Sequence, residues 1–201
     1  IWFYASASSD RSKLMIVRIE PVTLADKAKL LEWRNSVEVS EWMYTNHVIS
    51  EAEHSEWFEK MLRNKAIKYW KIIVDSTPVG AVVLSEINSV DQTCSWAIYL
   101  GESSVRGLGV AQAACLLSLN FAFNTLDLRL VRCEAIAENV RAISLYEQVG
   151  FVANPTDAEF VQRGESNLAI VKLEISDSAW KSGKDALHQI LDEKGVSLDE
   201  Q

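Results

Sequence analysis

The sequence is short of cysteine, and the count is odd: Cys94, Cys115 and Cys133 are its only three. A fully paired disulfide framework is therefore excluded. Each of the three lies in an apolar run, as reduced core residues of a protein in a reducing compartment would. No apolar run reaches the ~18 residues that a membrane helix requires, so no span is expected. Basic charge is in the minority. Lys and Arg number 20 against 28 Asp and Glu, leaving a formal charge of −8. Nucleic acid is thereby excluded as the main partner, because phosphate binding needs clustered cations. Repeats and low-complexity tracts are missing too. The opening stretch IWFYASASSDRSKL has neither the basic lead nor the long apolar core of a signal peptide. Residues 1–14 are read as an upstream extension or expression remnant and set aside. These absences together predict a cytoplasmic protein with no membrane partner.

What is present suits one domain with a sizeable core: 201 residues, 48% hydrophobic and 24% charged. MIVRIEPV opens at Met15 as a strand. Thr23 and Asp26 form a helix start signal for a helix to about Asn35, and Ser50 and Glu53 form a second for a helix to about Asn64. Residues 36–49 read as a short helix and a loop. Three strand-like runs follow at 68–75, 79–87 and 93–100, joined by links short enough to demand antiparallel pairing. The run at 108–124 is apolar nearly all round and predicts a central helix. A strand at 129–137 places Val131, Cys133, Ala135 and Ala137 on one face. A helix from Asn139 to Val149 stops at Gly150, and a strand at 167–175 closes the core. The fold class is α/β in the α+β sense: a mixed, mostly antiparallel sheet with helices on both faces. The domain is expected over 15–176, with a charged helical tail at 177–201.

Between the third meander strand and the central helix lies VRGLGVAQ. Glycines where a strand turns into a helix make an anion site, since free N–H groups of the first turn and the helix dipole point at the ligand. A Walker loop would need Gly-Lys-Ser/Thr, but Val110 and Ala111 follow Gly109. A dinucleotide loop would need a third small residue where Gln112 stands. What remains is a cradle for the diphosphate of coenzyme A or a plain glycine helix entry with no ligand.

Arg106-Gly107-Leu108-Gly109-Val110-Ala111 resembles the R/Q-x-x-G-x-G/A signature of the GNAT superfamily of N-acetyltransferases. Asn139 through Phe151 resembles that superfamily's second acetyl-CoA segment, and the order and spacing of elements agree over roughly 15–175. The resemblance implies acetyl-CoA as cosubstrate, no metal, and direct attack of an amine on the thioester. It also implies coenzyme contacts from Ile98, Tyr99 and Leu100 on the preceding strand, the 106–111 loop, Asn139 and Ala142. A backbone N–H of that strand would stabilise the oxyanion. Tyr146 is the candidate acid for the leaving thiolate, a phenol of pKa about 10 one helical face from Asn139. Plainer roles stay open: a core aromatic for Tyr146, an N-cap for Asn139.

LLEWRNSVEVSEWMYTNHVISEAEHSEWFEKML (30–62) resembles the branch acting on UDP-linked amino-dideoxy sugars of the pseudaminic acid type. In that reading Arg34 grips the diphosphate, Met43 and Tyr44 wall the sugar nucleotide, and Trp96 joins them. His54 opens an inward stripe with Trp57, Phe58, Met61 and Leu62. Charge at a helix end and ordinary core packing are the alternatives. Glu86 and Glu138 are the candidate bases. Alternation sets Glu86 on the face of Val82 and Leu84. Competing readings are a protein N-terminal or polyamine acetyltransferase and a non-catalytic coenzyme-binding module. A small-molecule amine is the expected partner, and a homodimer is compatible with the sequence.

Overall fold

The computed structural model describes residues 14–45, 47–153 and 159–199. The extension read at 1–14 therefore lies outside the described residues, Leu14 excepted. In chain order the elements are β1 (Met15–Pro21), α1 (Lys27–Asn35), α2 (Val37–Ser40), α3 (Glu51–Arg63), β2 (Lys68–Val74), β3 (Thr77–Asn88), β4 (Thr93–Leu100), α4 (Val110–Asn120), β5 (Leu130–Ile136), α5 (Val140–Val149), β6 (Val152–Ala153), β7 (Glu159–Arg163), β8 (Ser166–Ser176), α6 (Asp177–Glu193) and β9 (Val196–Leu198). A single 3₁₀ turn, Leu24–Asp26, leads into α1. The predicted start signal is there: the Thr23 N–H donates to Asp26 Oδ2 at 2.8 Å. Ser50 likewise accepts from the Glu53 N–H, but the Glu53 carboxylate turns to His47, 3.0 Å away. The second capping box is thus half used.

The sheet runs β6-β8-β5-β4-β3-β2-β1-β9, with β7 hairpinned onto β8. β1 to β4 form the expected antiparallel meander. Two contacts are parallel, β4 with β5 and β1 with β9. In β3 the successive residues Val79 to Val82 are all buried. Such a run needs cover on both faces. One face packs Val82 and Leu84 against α4, and the other packs Ala81 against Leu30, Trp33 and Phe58 of α1 and α3. α4 earns its all-apolar sequence, since Ala113, Ala114, Cys115 and Leu116 are consecutive and each wholly buried. Its last residues pass into a π-helical turn, Phe121–Thr125.

The helix expected at 177–201 is α6, and it packs more deeply than its charge suggests. Trp180, Leu187 and Leu191, one stripe at seven- and four-residue spacing, enter the same core as α4. Burying each contributes about 2–3 kcal/mol. β9 then pairs with β1, so the end of the chain extends the sheet that its beginning started. The three cysteines are free and buried, and burial pushes the Cys94 thiol up to about 12. Among the described residues no helix is long and apolar enough to cross a membrane, and no cluster of His, Cys, Asp or Glu could hold a metal.

Candidate active site

The site begins where two strands part. Pairing between β4 and β5 ends at Ser95 and Arg132, although β4 runs on to Leu100 and β5 to Ile136. Ile98, Tyr99 and Leu100 therefore line an open edge. They are held on their other side by β3, where Leu100 pairs with Gly80. That pairing needs glycine, because a Cβ at position 80 would run into the Tyr99 carbonyl oxygen.

The loop after β4 is held at both ends. The Gly101 and Glu102 N–H groups both donate to the Val79 carbonyl. The Trp33 indole of α1 lies against Gly101, where any Cβ would collide with the ring, and its Nε1–H donates to Glu102 Oε1 at 2.8 Å. Lys29 adds an ion pair to the same carboxylate at 3.0 Å. Arg106 is half-buried and donates weakly to the Leu100 carbonyl. The two glycines of the loop serve different ends. Gly107 has φ +81°, is exposed, and a Cβ there would meet nothing, so it supplies a backbone turn and open space. Gly109 has φ +93° and is buried, with a would-be Cβ only 2.9 Å from Lys194 Cδ and 3.2 Å from Val196. It lets the chain end pack beneath the loop. Leu108 is exposed, while Val110 is buried and Ala111 half-buried as α4 begins.

A groove of about 370 Å³ lies between α4 and α5, lined by Gln112, Val140, Arg141, Ser144, Leu145 and Gln148. Asn139 caps α5, its Oδ1 accepting the Ala142 N–H at 3.2 Å, and Ala142 packs on the main core. Strand edge, open glycine turn at a helix N-terminus and groove offer in turn an unpaired backbone, free N–H groups and an open surface.

Tyr146 projects from α5 with only 5% exposure. Its ring meets Trp96 edge-on at 5.4 Å and Phe151 at 6.0 Å. Its hydroxyl has no hydrogen-bond partner among the described residues. Burial, helped by Cys133, Cys115 and Tyr44, raises its pKa well above that of free tyrosine, so the phenol stays protonated. Trp96, grouped with the acceptor residues from sequence, stands instead in the core. It donates from Nε1 to Ser118 Oγ at 2.9 Å and props Tyr146, because its place in β4 faces α4.

The opposite face of the gap is built by the first helices and the β7–β8 hairpin. Arg34 is half-buried at the end of α1, donates to Thr45 Oγ1 at 3.3 Å, and lies close enough to Tyr69 and Tyr99 to favour their ionised forms. Burial outweighs that pull and raises both phenols, whose hydroxyls sit 3.2 Å apart. Asn35 stitches the next loop down by bonding both N–H and carbonyl of Ile49 at 2.9 Å. Arg163 of β7 reaches across to the Glu41 and Met43 carbonyls, at 2.7 and 3.3 Å. Met43 is half-buried there. Asn35, Glu41, His47 and Arg163 contribute to a cleft of about 350 Å³. Tyr44 rests on Ile136, Leu168 and Ile170, with the Glu134 carboxylate near its hydroxyl. Burial first, then Glu134, raises the Tyr44 pKa.

His54 is a correction. The residue is 3% exposed and its Nε2 is 2.9 Å from the Lys27 carbonyl, so it ties α3 to α1 rather than facing a ligand. Burial lowers its pKa. Glu86 is another. A bulge in β3 with Glu86 at φ +52° breaks the alternation, leaving the residue exposed and accepting from Ser95 Oγ at 2.6 Å. Glu138 is exposed in the turn before α5. Glu134 was not singled out from sequence, yet strand alternation held the signal. It faces away from Cys133, two residues past the last β4–β5 pair, and so borders the gap on the face opposite Tyr146.

A profile of the acetyltransferase (GNAT) domain matches residues 17–152. Acetyltransferase PseH of Campylobacter jejuni strain 81-176 is 24% identical over 131 residues, 65% of this chain and 80% of that protein. Spermidine N(1)-acetyltransferase of Escherichia coli K12 is 24% identical over 155 residues, 77% of this chain and 83% of that protein. Among solved structures, the spermidine N-acetyltransferase from Vibrio cholerae in complex with CoA and spermine superposes with a TM-score of 0.75 at 20% identity. It covers 82% of this chain and 98% of its own.

Proposed function

The chain belongs to the acetyltransferase (GNAT) domain family and is an acetyl-CoA-dependent N-acetyltransferase, and we propose that its acceptor is the amine of a UDP-linked amino-dideoxy sugar. The observation that carries this is the charge at the acceptor cleft. Arg163 lines it beside Glu41 and His47, bonded to the Glu41 and Met43 carbonyls and to no carboxylate among the described residues, and Arg34, at the end of α1 next to the cleft residue Asn35, bonds to the Thr45 hydroxyl and to no carboxylate among them. Guanidinium groups without counter-ions suit a diphosphate and repel a polycation. The match to PseH supports the same choice.

In this reading the two faces of the gap divide the proton work. Glu134, on the Tyr44 side, takes the proton from the incoming ammonium, directly or through water. The free amine attacks the thioester carbonyl, a C–N bond forms, the nitrogen sheds its second proton to water, and the C–S bond breaks; solvent water returns a proton to Tyr146 after turnover. Tyr146, kept protonated by burial, gives its proton to the departing sulfur from the other face. Polyamine acetylation is the second reading, favoured by the carboxylates of Glu134 and Glu159 beside Tyr44 and by the spermidine acetyltransferase match.

A thiol-release assay with acetyl-CoA against UDP-amino sugars, spermidine and N-terminal peptides tests it. We expect kcat/KM for a UDP-amino sugar to exceed that for spermidine by at least about tenfold. The reverse order replaces the sugar reading with the polyamine one.

A further inference from the structure

The family profile stops at residue 152, yet α6 and β9 lie beyond it and reach back to the glycine loop. Lys194, the residue that ends α6, donates from Nζ to the Gly107 carbonyl oxygen at 2.9 Å. Its stem passes Gly109, where Val196 and Leu191 also pack. Leu191 and Val196 belong to the main core and β9 pairs with β1, so the ammonium is presented from a fixed base. No carboxylate pairs with it among the described residues, leaving the cation uncompensated behind an anion-binding loop.

A trans peptide points its carbonyl and the next N–H to opposite sides. The Leu108 N–H of that peptide reaches back to the Val105 carbonyl at 3.4 Å, and holding the Gly107 carbonyl on the α6 side completes the fixing of the 107–108 plane and of the left-handed turn at Gly107. It also adds positive potential to that of the α4 N-terminus. We propose that Lys194 is a positioning residue for coenzyme binding, acting through the Gly107 peptide. This is independent of which amine is the acceptor.

The full chain carrying Lys194→Met keeps the stem and loses the ammonium, whereas Lys194→Arg keeps a donor. Calorimetric titration with CoA is expected to show about tenfold weaker binding for the Met variant and recovery to within about twofold for the Arg variant. The melting temperature of the ligand-free Met variant should stay within about 2 °C of the parent. In turnover, KM for acetyl-CoA should rise with kcat unchanged. Raising ionic strength should narrow the gap between parent and Met variant. Parent-like CoA affinity in the Met variant overturns the proposal. So does failure of Arg to restore affinity, or a loss of affinity that follows a fall in melting temperature.

Discussion

The two faces of the gap between β4 and β5 are put together differently. In the proposed site the coenzyme-side groups of the family domain come from one stretch, Ile98 through Tyr146, and much of what they offer is backbone: a strand edge, a glycine turn and a helix N-terminus. On the proposed acceptor side Arg34, Tyr44, Glu134 and Arg163 come from four separate elements or loops, and recognition there would rest on side chains. A backbone cradle tolerates little but glycine at its turns, and its shape is dictated by neighbours in sequence. A side-chain cleft can be repainted residue by residue while the strands beneath it stay put. That arrangement suits an enzyme whose coenzyme is constant and whose acceptor is particular to it.

The sharpest break between the faces comes from Tyr146→Phe. Loss of a general acid should cut kcat about a hundredfold, equivalent to roughly 3 kcal/mol of barrier, while CoA affinity by calorimetry stays within about twofold, since the ring and its contact with Trp96 remain. Parent-like kcat would make Tyr146 a packing residue. Glu134→Gln probes the other face. It should lower kcat/KM by roughly tenfold to a hundredfold near neutral pH, with the deficit shrinking as pH rises and the amine sheds its own proton. A pH-independent deficit would assign Glu134 to binding instead.

Arg163→Met should raise KM for a UDP-amino sugar about tenfold and leave that for acetyl-CoA unchanged, separating the faces by substrate. A rise in KM for spermidine alone would favour the polyamine reading. The smallest effect belongs to His54, which serves the fold and neither face. Its folded pKa lies below the unfolded value of about 6.5. Above that value its contribution is full. As pH falls through it, the unfolded chain takes up a proton that the native state resists, and stability drops. Melting scans at pH 7.5 and 5.5 should show a decline that His54→Gln, which retains an amide donor for the Lys27 carbonyl, makes shallower.

The same contrast explains what could be read before any coordinates. The meander, the central helix, the loop and the α5 cap follow from local rules: short links, all-round apolarity, glycine at a helix start, Asn139 as N-cap. The acceptor face depends on which distant residues the sheet brings together. Nothing near Arg163 announces that it will hold the Glu41 and Met43 carbonyls. Glu134 hid in a strand whose apolar face drew the attention. Glu86 was misplaced because a bulge shifts the period of β3, and period alone cannot show a bulge. Trp96 reads from the sequence as part of the acceptor wall. It faces α4 instead, and its indole N–H is taken by Ser118. β9 went unnoticed, being only three residues long and stabilised by a partner at the other end of the chain.

Trp33 and Gly101 carry a consequence for how this enzyme can change. The indole occupies the volume that a side chain at position 101 would need, so neither position is free to vary alone. An alanine at 101 would be admitted only where residue 33 has already shrunk. A smaller residue at 33 would leave a hole beside the coenzyme loop and strand Glu102 without its indole donor. The two sites should therefore drift as one unit, each substitution harmful by itself and tolerable in the company of the other. Because α1 also carries Arg34, that pair sets a boundary on how far the acceptor helix can be re-aimed toward a new amine without first rewriting the end of β4.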